Sequence, residues 1–260
     1  MHIELLGYSA TQPNTGGAAA ALTGDSLVIK NNIGNLGPRI LAGWAFNQTT
    51  GFHQIAFPTG HDTTRGYRAR VVAADIQQLM PTGIALPLTS QEQLAITIAG
   101  SNTAGDVEQG ALLVHYPNLP GIQMQAISWA QLQSKMQSLT TIEATLTGAA
   151  AGYTGEELIT AESDLLLANR QYAVLGATTQ TECCSLYMRG PDFGNVKVGV
   201  PGNDVDQELA NQWFAVLARA HDLPVIPVFN SANKAATYIG FQQNENNVSP
   251  AVTWYLALLK

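Results

Sequence analysis

The sequence predicts an all-β protein made of two tandem β-sandwiches, each with one short helix late in the module. Three observations lead to this prediction. Charged residues occupy only 12% of the 260 positions, while 24 glycines and 12 prolines are available for turns, a composition that suits a turn-rich β protein better than a helical bundle with charged outer faces. Short runs of Val, Ile, Leu, Thr and Tyr alternate with turn segments. Finally, the two halves of the chain repeat the same order of sequence blocks.

The clearest repeat joins PLTSQEQLAITIAG at residues 87–100 and PVFNSANKAATYIG at residues 227–240. In both, a proline opens an apolar strand, a small polar turn follows, and a second strand runs into glycine. The two blocks are 140 residues apart, as are Ala111 and Ala251 at the start of the final strand of each half. These blocks therefore predict matching strands near the end of each module.

Two further blocks extend the repeat to the beginning of each half. HIELLGYSA, from His2, resembles TIEATLTGAA, from Thr141, and aligns Ile3 with Ile142. DSLVIKN, from Asp25, resembles DLLLANR, from Asp164, at the same offset of 139 residues. The order of the blocks and their nearly constant offset predict a duplicated module.

Two hairpins are predicted, one in each half. The runs ILAGWAF and HQIAF flank residues 47–51, and the runs CCSLYM and VKVGV flank residues 189–195. Short apolar runs on both sides of a glycine-containing turn are typical of paired antiparallel strands. We interpret the second hairpin as the counterpart of the first.

One helix is predicted in each half, just before the proline strand. In the second half it covers residues 204–221, with Asp204 as the N-cap and Arg219 and His221 in the last turn. The apolar stripe at helical spacing consists of Leu209, Trp213, Val216, Leu217 and Ala220. In the first half the shorter VVAADIQQLM, residues 71–80, occupies the corresponding place.

The domain bounds follow from these elements. Residues 1–122 form the first module, residues 123–139 a connector, and residues 140–260 the second module. The connector contains ISWAQLQSKMQSL, residues 127–139, which predicts a short helix. Each module has the size of an eight-stranded jelly roll, in which two sheets face each other.

The charge balance excludes several classes of partner. The net charge is −7 and Lys and Arg form no run, so the basic stripe needed for direct nucleic-acid binding is missing. A basic amphipathic helix on a membrane surface is disfavoured for the same reason. The start, MHIELLGYSATQPN, predicts no signal peptide, and no stretch approaches the roughly 20 apolar residues of a membrane span.

The duplicated blocks, the two helices and the paired proline strands together resemble one family. Two tandem sandwiches with a late helix are similar to the double jelly-roll major capsid proteins of tailless icosahedral viruses, in particular those of the bacteriophage type. The resemblance is architectural and covers nearly the whole chain. The resemblance rests on the segments quoted above, which are the IE and D-x-L blocks, VVAADIQQLM, DQELANQWFAVLARA, and the strands that begin at Pro87 and Pro227.

The resemblance implies a structural virion protein without catalytic activity, cofactor or metal. It implies a homotrimer whose six sandwiches form a pseudo-hexagonal tile of an icosahedral capsid, assembled in the host cytoplasm. Neighbouring capsomers, penton proteins and minor capsid proteins would be its partners, and the acidic balance fits a shell lined by an internal membrane or by separate proteins. The sequence departs from the family in two respects: it has no long amphipathic N-terminal arm and no large loop insertions, so we expect no towers.

A duplicated cupin-like metalloenzyme is one alternative. The histidines are His2, His53, His61, His115 and His221. His53 and His61 flank a turn with Asp62 and Arg65, but cupin-type metal sites take an H-x-H pair, a carboxylate and a later histidine, and the closest spacing here is eight residues. The chain also contains no G-x-S-x-G elbow. We expect no metal site.

Three further features have a functional and a structural interpretation. Glu156 and Glu157, with Glu162 and Asp164, could supply paired carboxylates for glycosidic chemistry, although a solvated loop is the simpler interpretation. The adjacent pair Cys183–Cys184 is expected to fill a strand rather than form a disulfide, because strand neighbours point to opposite faces. A carbohydrate-binding or adhesin-type sandwich stays open as a binding alternative if the tryptophans are exposed; they are Trp44, Trp129, Trp213 and Trp254.

Overall fold

A computed structural model describes residues 1–12, 22–58, 66–73, 75–101, 103–148, 152–153, 156–159, 165–179, 183–202, 210–243 and 249–260. The strands of the first half are β1 (His2–Thr11), β2 (Leu22–Gly24), β3 (Arg39–Phe46), β4 (Gly51–Ala56), β5 (Tyr67–Val71), β6 (Ile76–Gln78), β7 (Leu86–Pro87), β8 (Ala95–Ala99) and β9 (Val107–Tyr116). Those that follow are β10 (Ala126–Ile127), β11 (Met136–Thr145), β12 (Gly152–Tyr153), β13 (Glu157–Leu158), β14 (Gln171–Thr179), β15 (Cys183–Arg189), β16 (Lys197–Pro201), β17 (Ile226–Asn230), β18 (Tyr238–Gln243) and β19 (Ala251–Leu259). Two α-helices are described, α1 (Trp129–Lys135) and α2 (Trp213–His221), with short 3-10 turns at Pro191–Phe193 and Ser231–Ala236.

The strands of the first half form two sheets with jelly-roll order. Sheet 1 has the order β5-β4-β8, and an isolated bridge between Val28 and Gln93 adds the segment near Val28 beside β8. Sheet 2 has the order β2-β1-β9-β3-β6, with β7 also paired to β3. The first long strand of the module therefore lies beside its last, and the chain crosses between the two sheets after β3, β5, β7 and β8, as in two nested Greek keys.

The second half repeats this arrangement. Sheet 3 has the order β12-β18-β15-β16, with β13 also paired to β18, and sheet 4 has the order β10-β17-β14-β19-β11. The first strand, β11, again pairs with the last, β19, whose other neighbour is β14. Even a local irregularity recurs, because both β3 and β14 bulge against the final strand, at Leu41 and at Leu175. The all-β, duplicated jelly-roll prediction is confirmed.

The four sheets are stacked in numerical order, with sheet 2 covered on both faces. Along β1, Leu6 and Tyr8 belong to the core shared with sheet 1, whereas Ile3 and Leu5 belong to the core shared with sheet 3. Strand β1 contacts β16, and β15 contacts both β9 and β3. Because successive strand residues point to opposite faces, burial of consecutive residues marks a strand between two layers.

The two predicted hairpins have different outcomes. Strands β15 and β16 pair across Gly190–Asn195 as predicted. Strands β3 and β4 do not pair, because β3 lies in sheet 2 and β4 in sheet 1. Residues 47–50 form the corner through which the chain changes sheets, and β4 pairs with β5 and β8 instead. A corner between two sheets and a hairpin turn have similar local sequences, so the prediction of the first hairpin was wrong.

The helix predicted at residues 71–80 is also wrong. Val71 ends β5, and Ile76–Gln78 form β6, which pairs with Trp44–Phe46 of β3. A helix of ten residues is marginal by itself, and here the open edge of β3 offers hydrogen bonds that a helix could not use. Each module was expected to have a late helix; among the described residues only the second has one.

The connector helix is shorter than predicted, and the second-half helix is described only in part. The described part of the second-half helix runs from Trp213 to His221, with Gln212 at its N-cap, and the proposed cap Asp204 and the stripe residue Leu209 lie outside the described residues. The connector helix α1 begins at Ser128, whose side chain and that of Gln131 form a capping box. It ends at Lys135 because β11 begins at Met136. The predicted domain bounds of 1–122 and 140–260 remain a prediction.

The residue-level alignment of the first strands is wrong, although β1 and β11 are equivalent strands. Ile3 points to sheet 3, away from its own sandwich partner, whereas Ile142 is fully buried in the core of the second module. A register shift by an odd number of residues turns every side chain to the other face. Ile3 therefore corresponds to an outward residue of β11, such as Leu139 or Thr141, and not to Ile142.

Candidate functional site

Trp44 joins the two modules at the contact between sheets 2 and 3. Its indole nitrogen donates to the backbone oxygen of Cys184 at 2.8 Å and lies 3.0 Å from the hydroxyl of Ser185. Its ring meets Trp213 of α2 edge to face, with centroids 5.6 Å apart. The side chain is fully buried, so the junction is a packed core with a satisfied polar group and not a wet domain interface.

Asp25 supplies a second connection between the modules. One carboxylate oxygen accepts from the Gly7 backbone at 2.9 Å and from the Tyr153 hydroxyl at 2.7 Å, and the other accepts from the Lys197 ammonium at 2.6 Å. The ammonium also lies 3.4 Å from the centroid of the Tyr153 ring. Lys197 and Tyr153 belong to sheet 3, so one carboxylate of the first module holds two side chains of the second.

Replacing Gly7 by alanine is expected to destabilise this connection. A Cβ at position 7 would lie 1.8 Å from the Tyr153 hydroxyl oxygen, which must then move away from Asp25. We expect a loss of about 1–3 kcal/mol in the free energy of unfolding, measured by urea denaturation. Tyr153→Phe removes only the hydrogen bond, at about 1 kcal/mol, and serves as the comparison. A Gly7→Ala variant no less stable than Tyr153→Phe would contradict the steric argument.

The four described histidines form no metal-binding group. His53 lies inside the first sandwich, where its Nε2 is 2.7 Å from the Asn47 side chain and its Nδ1 is 3.0 Å from the Tyr8 hydroxyl. His2 and His115 lie on the neighbouring strands β1 and β9, His221 ends α2, and His61 lies outside the described residues. Within the described ranges no three His, Cys, Asp or Glu side chains are grouped as a metal site would require.

Burial keeps three of these histidines neutral. Desolvation is the main cause that lowers the pKa of His2 to about 3 and that of His115 to about 4, with Lys30 and Arg39 contributing positive charge near His2 and near His115, respectively. Desolvation likewise lowers the pKa of His53 to about 3. Neither ring nitrogen of His2 or His115 has a hydrogen-bond partner among the described residues. These rings act as packing groups at neutral pH.

The other candidate chemical groups have structural surroundings. Glu156 pairs with Arg189, whose hydrogen bonds lower the pKa of the Glu156 carboxyl, and Glu157 accepts from the backbone of Thr147 at 3.1 Å. Glu162 and Asp164 lie outside the described residues. Cys183 and Cys184 are not joined in a disulfide and are fully buried, and burial raises the pKa of the Cys184 thiol to about 12. A thiol protonated to that extent is a poor nucleophile.

The tryptophans are mostly interior. Trp44, Trp213 and Trp254 are at most 1% exposed, so they are unable to stack on a sugar. Trp129 on α1 is partly buried and carries the Arg219 guanidinium 4.9 Å from its ring centroid. Aromatic stacking on a carbohydrate usually needs several exposed rings, and this face presents one that is already covered by a cation.

An apolar opening lies on the outer face of sheet 4. A groove of about 760 Å³ runs between α1, α2 and strands β11 and β19. It is lined by Trp129, Leu132, Gln133, Met136, Leu139, Thr140, Thr141, Leu165, Leu175, Asn211, Gln212, Ala215, Tyr255 and Leu256. Three of its large apolar side chains are open to solvent: Leu139 is 67% exposed, Leu165 57% and Met136 43%. Such grouped apolar exposure marks an interaction surface.

The opposite end of the stack, the outer face of sheet 1, is polar and positively charged. The Arg68 guanidinium lies 4.0 Å from the Phe52 ring centroid and donates to Gln54 at 2.7 and 3.0 Å. Arg70, opposite Phe52, and Thr97, opposite Gln54, are exposed on the same face. We call these two end faces the sheet 4 face and the sheet 1 face.

The sequence did not reveal either end face. The predicted connector helix included Leu139, and the residues that line the groove come from five separate segments. The connector carries three large apolar side chains, those of Trp129, Met136 and Leu139, and together they have more apolar surface than a seven-residue helix can bury. This excess is a weak sequence signal for the sheet 4 face.

Comparisons with known proteins give little further information. No family model matches the chain, and no curated protein matches it. Among solved structures, the crystal structure of the PBSX exported protein XepA is similar at 10% sequence identity, with 98% of this chain and 86% of that chain covered and a TM-score of 0.28. A TM-score this low does not establish a shared fold. In the described part of the chain, no helix has the length and apolarity to cross a membrane.

Proposed function

We propose that this protein is a major capsid protein, a shell subunit that forms homotrimers and has no catalytic activity. The observation that carries the proposal is the repeated strand order: sheets 1 and 2 and sheets 3 and 4 form two jelly rolls of the same topology in one chain. Three such chains present six similar modules, so that a three-fold assembly can occupy positions of six-fold packing.

Two further features support the proposal. The surfaces at the two ends of the sheet stack are open, and one of them carries exposed leucines that a protein working as a monomer would normally bury. The buried histidines, cysteines and tryptophans, in turn, act in packing. Adjacent capsomers, penton proteins and minor capsid proteins are the partners that this function requires, and the virion is its location.

The solution mass of the purified chain tests the proposal. We expect light scattering to show a species of three times the chain mass of 27.6 kDa, and negative-stain images of the same fractions to show tiles or shells. A dilution series over a wide concentration range controls for nonspecific association. A strict monomer at high concentration, without particles in the images, would contradict the proposal.

A further inference from the structure

We propose that the sheet 4 face binds the sheet 1 face of a second copy of this chain, head to tail. The inference rests on the proposed function, since it names the two surfaces through which the copies assemble. The occupant of the apolar groove is then a copy of this chain and not a minor protein of different sequence.

The contact between the two modules within the chain provides the precedent. There, the outer face of sheet 2 is covered by the outer face of sheet 3. Sheet 4 is the second module's equivalent of sheet 2, and sheet 1 is the first module's equivalent of sheet 3. The chain therefore uses one copy of this contact internally. At the ends of the stack it leaves the sheet 1 face and the β11 and β19 part of the sheet 4 face without a covering sheet, while α2 packs on β14.

The equivalent strands β1 and β11 show which residues correspond. On β1, Leu5 packs against sheet 3, where a Cβ at Gly199 would lie 2.5 Å from a Leu5 methyl group. On β11, Ile142 faces inward, so Leu139, Thr141 and Glu143 line the outer face. In β1 the residues that face outward, such as Leu5, are buried between the two modules. Leu139 faces outward in the same way on β11, yet it is 67% exposed.

Charge complementarity agrees with this pairing. Inside the chain, Lys197 of sheet 3 binds the carboxylate of Asp25 in the first module at 2.6 Å. On the open faces, Arg68 and Arg70 of β5, the strand equivalent to β16, are available on one side, and Glu143 is exposed on the other. The basic strand would again meet an acidic face, which favours one orientation of the two copies.

A contact between two different faces is heterologous, and copies joined in this way close into a ring when the rotation allows it. The oligomer should therefore be blocked completely by a change on either face. Two chains blocked on opposite faces should still form a pair, because each retains the face that the other needs. An interface that pairs a surface with itself would not show this behaviour.

The first test compares two leucine variants by light scattering and analytical ultracentrifugation. Leu139→Arg places a charge in the groove, and we expect a monomer, or at least about a tenfold weaker association. Leu36→Arg is the matched control, since Leu36 is 63% exposed and belongs neither to the groove lining nor to the strands of sheet 1, and it should assemble like the parent chain. Circular dichroism and urea unfolding establish that both variants are folded.

The second test uses the opposite face. Thr97→Arg places a long side chain on the exposed face of β8, where its bulk prevents close packing of the second copy, and it should also give a monomer. When Leu139→Arg and Thr97→Arg are mixed in equal amounts, we expect a dimer of one chain of each kind, with no larger species. The two monomers measured separately at the same total concentration are the control for this mixture.

The outcomes separate this inference from the proposed function. A monomeric parent chain would overturn both. A parent oligomer that persists unchanged in Leu139→Arg would retain the proposed function and overturn the surface assignment, leaving the groove for a partner other than this chain. Two monomeric variants that fail to pair on mixing would overturn the head-to-tail arrangement.

Discussion

Replacing Trp44 by alanine is expected to lower the free energy of unfolding by about 3–5 kcal/mol. The change empties a site at the junction of the two modules, removes the edge-to-face contact with Trp213, and leaves the Cys184 carbonyl and the Ser185 hydroxyl without their indole donor. Urea denaturation followed by circular dichroism measures the loss. It is a large fraction of the 5–15 kcal/mol typical of a domain.

A graded pair of variants controls this experiment. Trp44→Phe retains most of the apolar volume but removes the indole nitrogen, so it should lose less than the alanine variant. Leu36→Ala changes an exposed side chain and should alter the stability by no more than about 0.5 kcal/mol. Because one hydrophobic cluster extends through sheets 2, 3 and 4, the modules should unfold together. An alanine variant within 1 kcal/mol of the parent would contradict this account of the junction.

Acid is expected to destabilise the chain steeply between pH 6.5 and pH 4. His2, His53 and His115 are neutral in the folded protein because burial lowers their pKa values to about 3, about 3 and about 4. In the unfolded chain they take up protons below about pH 6.5. Their contribution to stability is therefore complete above pH 6.5 and is lost as the pH falls towards the folded pKa values.

The size of the effect follows from proton linkage. Each histidine loses about 1.4 kcal/mol per pH unit in this window, so the three together lose roughly 6 kcal/mol at pH 5. Two buried carboxyls act in the opposite direction, because burial raises the pKa of Glu4 and of Glu108, and the folded protein then binds their protons first. The net loss should be somewhat smaller than the histidine sum.

Urea midpoints measured from pH 8 to pH 4.5 test this expectation. His115→Phe should flatten the acid limb by about 1.4 kcal/mol per pH unit, whatever its stability at pH 8. His221→Phe is the matched control, since the His221 ring is only partly buried and its Nε2 lies 3.1 Å from the Leu41 backbone oxygen. An unchanged acid limb in His115→Phe would contradict the assignment of this histidine as neutral and buried.

Several elements could be predicted from the sequence because their signals are local or repeated. The strand composition, the hairpin of β15 and β16, and the connector helix with its Ser128 cap depend on neighbouring residues. The duplication could also be predicted, because equivalent strands of two modules need similar side chains in the same order. The paired proline strands, β7 and β17, are indeed equivalent elements, because β7 pairs with the start of β3 in sheet 2 and β17 pairs with the start of β14 in sheet 4.

Other features depend on contacts that the sequence does not encode locally. Within residues 71–80, Ile76–Gln78 form a strand because the edge of β3 was open to them, and β3 and β4 separate because the corner at residues 47–50 changes sheets. Ile3 and Ile142 look alike in sequence but point to different layers. Only the position of each strand within the stack decides which of its faces is buried.

The sequence by itself determined that this is a duplicated all-β chain, because alternating apolar residues, turns and repeated blocks depend only on the order of residues along the chain. The tertiary structure alone decided that the two jelly rolls share a core through Trp44 and Asp25. It also decided that Leu139 and Arg70 lie at opposite open ends of a four-sheet stack. The physical reason is that burial depends on which surfaces meet in space, and surfaces meet only after distant strands have paired.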